Sequence, residues 1–379
     1  MRIAFISSMS AAPWGGSEVL WSRTAAEALR HGHAVFASVA TWPTLPAPLA
    51  ELQQAGAVLH QRAGYSPQLS VRLARRVGRA LGQKTLEQRL AEFDPDVICL
   101  SQGGNFDIAN MPELRRFLLE SGIPYCLVCH NYDASKLPPA PERQAAAAAY
   151  AGACRVYFVS ADQAQVSQRQ LARSFPTIEL VKNPINIAQP EQLPWPAQDI
   201  AQLAVVGGLH IDFKGQDILL EVLSSATWRA RSWHLNIYGQ GYDEAYIREL
   251  LTLYQLESRV TLHGYTNDIA QLWRHNHLLL LPSRREAAPL VIMEAMLCGR
   301  PVVATAVGTV PEWVQPGQTG FVAAAATVPA FGNALEEAWA RRAEWVTLGQ
   351  QAHQWASQAV DLNAAANFLQ CLVSCAQAA

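Results

Sequence analysis

Two glutamates and a lysine are the residues of this chain best placed to do chemistry. Glu286 and Glu294 lie in LLLLPSRREAAPLVIMEAMLCGRPVVAT, with seven residues between them. Glu286 falls in the loop after an apolar run, Pro289 suits a first helical turn, and Glu294 comes about a turn and a half into the helix. Two carboxylates so spaced can accept hydrogen bonds from two separate sets of hydroxyls, such as those of a hexose and a ribose. Between them, the free N–H groups of the helix start can face a diphosphate. A cap at Glu286 and a solvated face at Glu294 are the plainer alternatives. Against the second, Glu294 is embedded in LVIMEAML, where an unpaired carboxylate would be costly.

Two further loops join a strand to a helix in the same way. In VVGGLHIDFKGQDILL, Gly207 and Gly208 turn the chain and Lys214 arrives just before a helix, where its ammonium can neutralise a phosphate. In PWGGSE, Gly15 and Gly16 let the backbone approach an anion and Ser17 can cap the helix. Such a turn also needs glycine for backbone reasons alone.

The elements that must position these residues alternate short apolar runs with amphipathic stretches, the pattern of a parallel α/β architecture. Strands are expected at Ile3–Ser7, Ala34–Val39, Val97–Leu100, Tyr125–Cys129, Val156–Val159 and Ile178–Val181. After a proline-rich stretch from Pro184 to Pro196 the pattern restarts at Leu203–Val206, His234–Tyr238, Val260–His263, Leu278–Leu281 and Val302–Thr305. The domains are therefore expected at 1–188 and 199–355, with a helical segment over 356–379 whose packing the sequence does not specify. Two such units imply a cleft, with ligands at the carboxyl ends of the strands.

Composition narrows the function. A net charge of −2 argues against a nucleic-acid binder. Seven cysteines make no disulfide framework, and Cys126 and Cys129 in PYCLVC read as buried strand residues. No run of about eighteen apolar residues is found, and MRIAFISS reads as a first strand rather than a signal peptide. A cytoplasmic protein is expected. Over 70–84, Arg72, Arg75, Arg76 and Arg79 share one face of a helical pattern, which suits either a solvated face or peripheral contact with an anionic membrane. Asp94, Pro95 and Asp96 read as a turn before a strand, so no metal is expected.

With these loops in order, the sequence resembles the retaining glycosyltransferases of family 4, which have the GT-B fold of two Rossmann-like domains with parallel sheets facing a central cleft. The resemblance covers nearly the whole chain and is strongest from Val205 to Val322. The pair Glu286 and Glu294 carries it, with YGQGYDEAYI, GYTNDIAQLW, EAMLCGRPVVATAVGTVPEWV and GQTGFV in order, and PWGGSEVL, LRHGHAV and VCHNYD in the first half. It implies that Glu286 contacts hydroxyls of the donor sugar and Glu294 the ribose. Lys214 would bind the diphosphate with help from Gly16 and the backbone at Leu290 and Val291, and Gly264 and Tyr265 would flank the base. His130 matches the position facing the transferred sugar. An arginine usual in the family is Gly208 here, a charge that Arg284 or Arg285 would have to supply, and two usual glycines are Ala287 and Thr309.

The reaction so implied is transfer of a hexose-type sugar from a nucleotide-diphosphate sugar with retention, by front-face substitution in which the leaving diphosphate takes the acceptor's proton. A lipid-linked saccharide or polysaccharide acceptor fits the arginine-rich segment better than a small soluble one. Rival readings are a non-catalytic GT-B protein that binds nucleotide sugars or partner proteins, and an epimerase or a phosphorylase on the same fold. A nicotinamide dehydrogenase fails for want of a GxGxxG between a strand and a helix.

Overall fold

The computed structural model describes residues 1–10, 12–63, 84–187 and 191–378. The arginine-rich segment 70–84 lies outside these, apart from Lys84. The chain divides into two units, Met1–Pro184 with Asp361–Ala379, and Ile185–Val360.

In unit 1, seven parallel strands form a sheet: β1 (Arg2–Ser7), β2 (Ala34–Ala40), β3 (Val58–Arg62), β4 (Val97–Gly104), β5 (Tyr125–Asn131), β6 (Arg155–Phe158) and β7 (Ile178–Leu180). Their order is β3-β2-β1-β4-β5-β6-β7. In unit 2, β8 (Ala201–Val206), β9 (Trp233–Tyr238), β10 (Val260–Gly264), β11 (Leu278–Leu281), β12 (Val302–Thr305) and β13 (Gly320–Ala323) follow the order β10-β9-β8-β11-β12-β13. Each sheet is doubly wound, and its order reverses between β1 and β4 or between β8 and β11. Crevices for ligands open at the strand ends of such switch points.

The strands are apolar throughout because both faces are covered. Ala4 and Ile6 of β1 face one core of unit 1, Ile3 and Phe5 the other. Leu203 and Val205 of β8 face one core of unit 2 and Ala204 the other. Two strands were not anticipated, β3 and β13. β3 mixes exposed and half-buried residues at a sheet edge, and β13 is a short run, GFVA, that opens on glycine and passes into alanines, residue types depleted in strands.

The proline-rich stretch is not a free hinge over its second half. The buried Arg300 guanidinium donates to the carbonyls of Leu193 (3.3 Å) and Pro194 (2.7 Å), as well as to those of Trp273 and Asn276 (2.9 Å each). Trp195 lies under the same guanidinium. At the other end, Arg342–Gln377 is long and apolar enough to pass for a membrane span on length and composition, which the sequence reading did not anticipate. It breaks at Val360 into the helices Trp345–Ala359 and Ala364–Gln377. The first buries Leu348, Ala352 and Ala356 in unit 2, and the second buries Phe368, Leu369 and Leu372 in unit 1.

Candidate functional site

The switch point of unit 2 is built from the loops after β8 and β11. After β8, Gly207 and Gly208 lead into a single helical turn, Ile211–Lys214, and then through Gly215 into the helix Gln216–Ser224. After β11, the loop runs through Glu286 to the helix Leu290–Leu297. Backbone bonds tie the two loops, with the N–H groups of Arg284 and Arg285 donating to Phe213 O at 2.8 and 3.2 Å. The clamp brings the Lys214 ammonium to 2.5 Å from Glu286 Oε1, which also accepts the Ser283 hydroxyl at 2.9 Å. Both members of the pair are largely shielded, with side-chain exposures of 26% and 11%, so the pair is screened less than a surface pair.

Glu294 is buried, 4% exposed, inside the apolar helix, and accepts a hydrogen bond from Asn186 Nδ2 at 3.0 Å. The partner that its setting demands is therefore a side-chain amide from the segment entering unit 2. Pro289 is the N-cap of this helix rather than its first residue. The N–H groups of Leu290 and Val291 open the helix, where no earlier turn supplies an acceptor. Ala287 and Thr309, both standing where glycine was expected, meet each other: Thr309 N donates to Ala287 O at 2.9 Å.

The expected substitute for the missing arginine is overturned. Arg284 makes a bidentate pair with Asp217, at 2.6 and 2.8 Å, and donates to Ile211 O at 2.8 Å. The Arg285 guanidinium lies over the Phe213 ring, 4.3 Å from its centre, with Asp212 at 3.7 Å. Each is committed to holding the loop. Lys214 is thus the cation that these loops bring to Glu286.

The strand ends beside this pair pack backbone on backbone. A Cβ at Gly239 would lie 1.9 Å from Gly207 O, and its φ of +144° disfavours any side chain. Gly264 ends β10, also at positive φ, and Tyr265 beside it is 69% exposed. Next to this turn runs a groove of about 400 Å³ lined by Gln202, Asn236, Tyr238, His263, Thr266 and Asp268 among others. Tyr238 and His263 stack at 4.5 Å, and Asn236 bonds His263 and Gln202 at 2.8 and 3.0 Å. Asn236, Tyr238 and His263 carry no motif, although the alternation along β9 and β10 places them on one face of the sheet.

Unit 1 carries its own polar strand ends. Gly15 is the N-cap of the helix Gly16–Arg30 in extended backbone, so Ser17 is not the cap expected of it. The buried Glu18, which the sequence reading did not single out, accepts from Ser7 Oγ at 2.8 Å, Trp21 Nε1 at 3.1 Å and Ser17 Oγ at 3.4 Å. Burial pushes its carboxyl above the usual range. Asp107, pushed up by burial in the same way, accepts from Ser8 Oγ at 2.5 Å and Gly104 N at 3.0 Å. His130 ends β5 with Nε2 3.1 Å from Ser101 Oγ, and burial lowers its pKa to about 4. Such an imidazole is neutral near pH 7 and can offer a hydrogen bond without carrying charge. Asp94 and Asp96 serve as the turn expected of them: Asp94 ends the helix Leu86–Phe93 at positive φ, and Asp96 accepts the Arg2 N–H at 2.7 Å. Cys126 and Cys129 are both buried in β5.

Known proteins resemble unit 2 in sequence and the chain in fold. Residues 201–341 match the family model "Glycosyl transferases group 1". An uncharacterised glycosyltransferase of Haemophilus influenzae is 32% identical over 145 residues, 37% of this chain and 41% of that protein. The N-acetyl-alpha-D-glucosaminyl L-malate synthase of Bacillus anthracis is 38% identical over 88 residues, 23% of each chain. The matched segment thus spans well under half the length of these curated relatives. Among solved structures, the sucrose-phosphate synthase of Thermosynechococcus elongatus covers both chains fully at a TM-score of 0.78 and 19% identity. Anabaena HepE, solved with UDP and glucose, covers 99% of each chain at a TM-score of 0.75 and 21% identity. Residues 201–341 are thus similar to the group 1 glycosyltransferases, and the two parallel α/β units have the GT-B fold of these solved structures.

Proposed function

We propose that the protein transfers a hexose-type sugar from a nucleotide-diphosphate sugar to a saccharide acceptor with retention of configuration. The observation that carries this reading is the Lys214–Glu286 pair at the switch point of unit 2, 2.5 Å apart and beside a helix N-terminus. Lys214 and the N–H groups of Leu290 and Val291 would take the diphosphate, Glu286 the sugar hydroxyls and Glu294 the ribose. Gly264 and Tyr265 would flank the base, with the neutral amides of the adjoining groove suited to its polar edges. The relative solved with UDP and glucose makes a UDP-sugar the first donor to test. For Gly15 and Gly16 the proposed role is phosphate approach, and for His130 it is contact with the transferred sugar, supported by its strand-end position and neutral ring.

The chemistry then asks little covalent work of the protein. The bond from the anomeric carbon to the diphosphate breaks as the acceptor oxygen attacks from the same face, and the departing diphosphate oxygen takes the acceptor's proton. Lys214 and the helix N–H groups stabilise the charge that gathers on that oxygen.

A thermal-shift panel of UDP-, GDP-, ADP- and dTDP-sugars tests the reading. A ligand at a hundred times its dissociation constant adds about 2.7 kcal/mol. One nucleotide should stabilise the wild type and not Glu294→Ala. With that donor, Lys214→Ala and Glu286→Ala should lower turnover at least about a hundredfold, an effect of the size seen when a single charge-stabilising group is removed. Near-normal turnover in either would sink the role assignment. A wild type unmoved by every donor would favour a non-catalytic relative.

A further inference from the structure

Five of the seven cysteines meet in one apolar core of unit 1: Cys99, Cys126, Cys154, Cys371 and Cys375. Three of the five lie in the body of the unit, Cys99 in β4, Cys126 in β5 and Cys154 just ahead of β6. The other two lie a turn apart on the helix Ala364–Gln377, which the chain adds to unit 1 only after completing unit 2. That helix docks through Phe368, edge-on to Tyr157 at 5.2 Å, and through Ala365 O, which accepts the Thr24 hydroxyl at 3.3 Å. At the same junction Cys154 and Cys375, both on that core, are each other's strongest electrostatic partner, and the Cys154 thiol donates to Tyr125 O at 3.1 Å.

We propose that Cys154 and Cys375 are a redox modification site, at which a peroxide converts the two thiols to a disulfide that staples the C-terminal helix to the body of unit 1. Cys154 is the half-exposed member and Cys375 is buried, so access assigns the first attack to Cys154. The Cys375 thiol, the backbone at Arg155 and the Arg155 guanidinium draw the Cys154 thiol below its ordinary value against the effect of burial, while Cys375 is pushed up. A thiolate at Cys154 attacks the peroxide O–O bond, giving a sulfenic acid and releasing water once the leaving hydroxide is protonated. The Cys375 sulfur then attacks the sulfenic sulfur, the S–S bond forms, and the sulfenic oxygen leaves as a second water. Two thiols and one hydrogen peroxide become one disulfide and two waters. A dithiol reductant reverses the change by exchange. Cys99 and Cys126 are buried in central strands, which keeps them out of reach of the oxidant.

The staple closes a loop from 154 to 375 that contains the whole sequence of unit 2. Restricting the unfolded chain in this way stabilises the folded one. The staple is independent of nucleotide binding.

The full chain, treated with hydrogen peroxide and quenched, is titrated for thiols after denaturation and digested without reduction for mass spectrometry. Thiols should fall from seven to five, with one cross-linked peptide pair joining Cys154 to Cys375. The melting temperature should rise and return on dithiothreitol treatment. Cys154→Ala and Cys375→Ala should each abolish cross-link and rise, and Cys371→Ser should leave both intact. Cys154 recovered as sulfinic acid beside a free Cys375, a cross-link through Cys371, or an unchanged thiol count would each overturn the proposal. Peptide mapping of the wild type decides the matter even if a variant fails to fold.

Discussion

Lys214 and Glu286 form an ion pair in the fold. On the proposed roles, a diphosphate that takes the ammonium would release the carboxylate for hydroxyls and make sugar recognition conditional on phosphate. Glu286→Gln should therefore bind UDP roughly three- to tenfold more tightly than the wild type, about 0.7–1.4 kcal/mol, and UDP-glucose more weakly. Calorimetry with both ligands reads the split, and equal weakening of the two would leave Glu286 a merely structural role. His130 supplies a second test. Its pKa falls from the ordinary 6.5 to about 4 in the fold, so between those values the unfolded chain binds more protons and stability falls as pH drops. The linkage is about 2 kcal/mol lost from pH 7 to pH 5. His60, lowered to about 4 chiefly by burial, adds a smaller loss because water screens its partly exposed ring, and the raised carboxyls of Glu18 and Asp107 oppose it. The test is thus a comparison: denaturant melts of His130→Asn should lose less stability between pH 7 and pH 5 than the wild type does.

At the scale of elements, the site depends on turns that leave no room for a side chain. Gly239→Ala would set a methyl 1.9 Å from Gly207 O, so the turn after β9 would have to retreat from the turn that leads to Lys214. A loss of at least about 2 kcal/mol is expected, since both clash and positive φ act, and nucleotide binding should weaken with it. A melting curve like that of the wild type would show that the turn can yield. Gly207 and Gly208 were legible in the sequence as a turn, and so was the buried strand that leads into them. The edge strand β3 and the short β13 were not, because β3 mixes polar and apolar residues and β13 opens on glycine and runs into alanines. Arg284 and Arg285 misled in another way. Their charges suggested an anion site, but Asp217 and Asp212 come from the loop and helix after β8, and sequence order does not reveal such partners.

For the whole molecule, the chain leaves unit 1 near Pro184 and re-enters it at Asp361 to lay down a last helix. A truncation after Val360 should uncover the core around Tyr157 and Leu20 that Phe368, Leu369 and Leu372 close. The expected result is two separate unfolding transitions by calorimetry, with unit 1 melting first and unit 2 near its usual temperature. A single unchanged transition would show the helix to be dispensable. The sequence by itself determined the class of fold, the restart of the pattern after the prolines, and the loops bearing Lys214, Glu286 and Glu294, because apolar periodicity and glycine turns are local properties. Only the tertiary structure decided that Lys214 pairs with Glu286, that Asn186 satisfies Glu294, that both arginines are spent on the loop, and that the last helix returns to the first unit. These are partnerships between residues up to hundreds of positions apart, and packing chooses among them by burial and geometry that no short stretch of sequence carries.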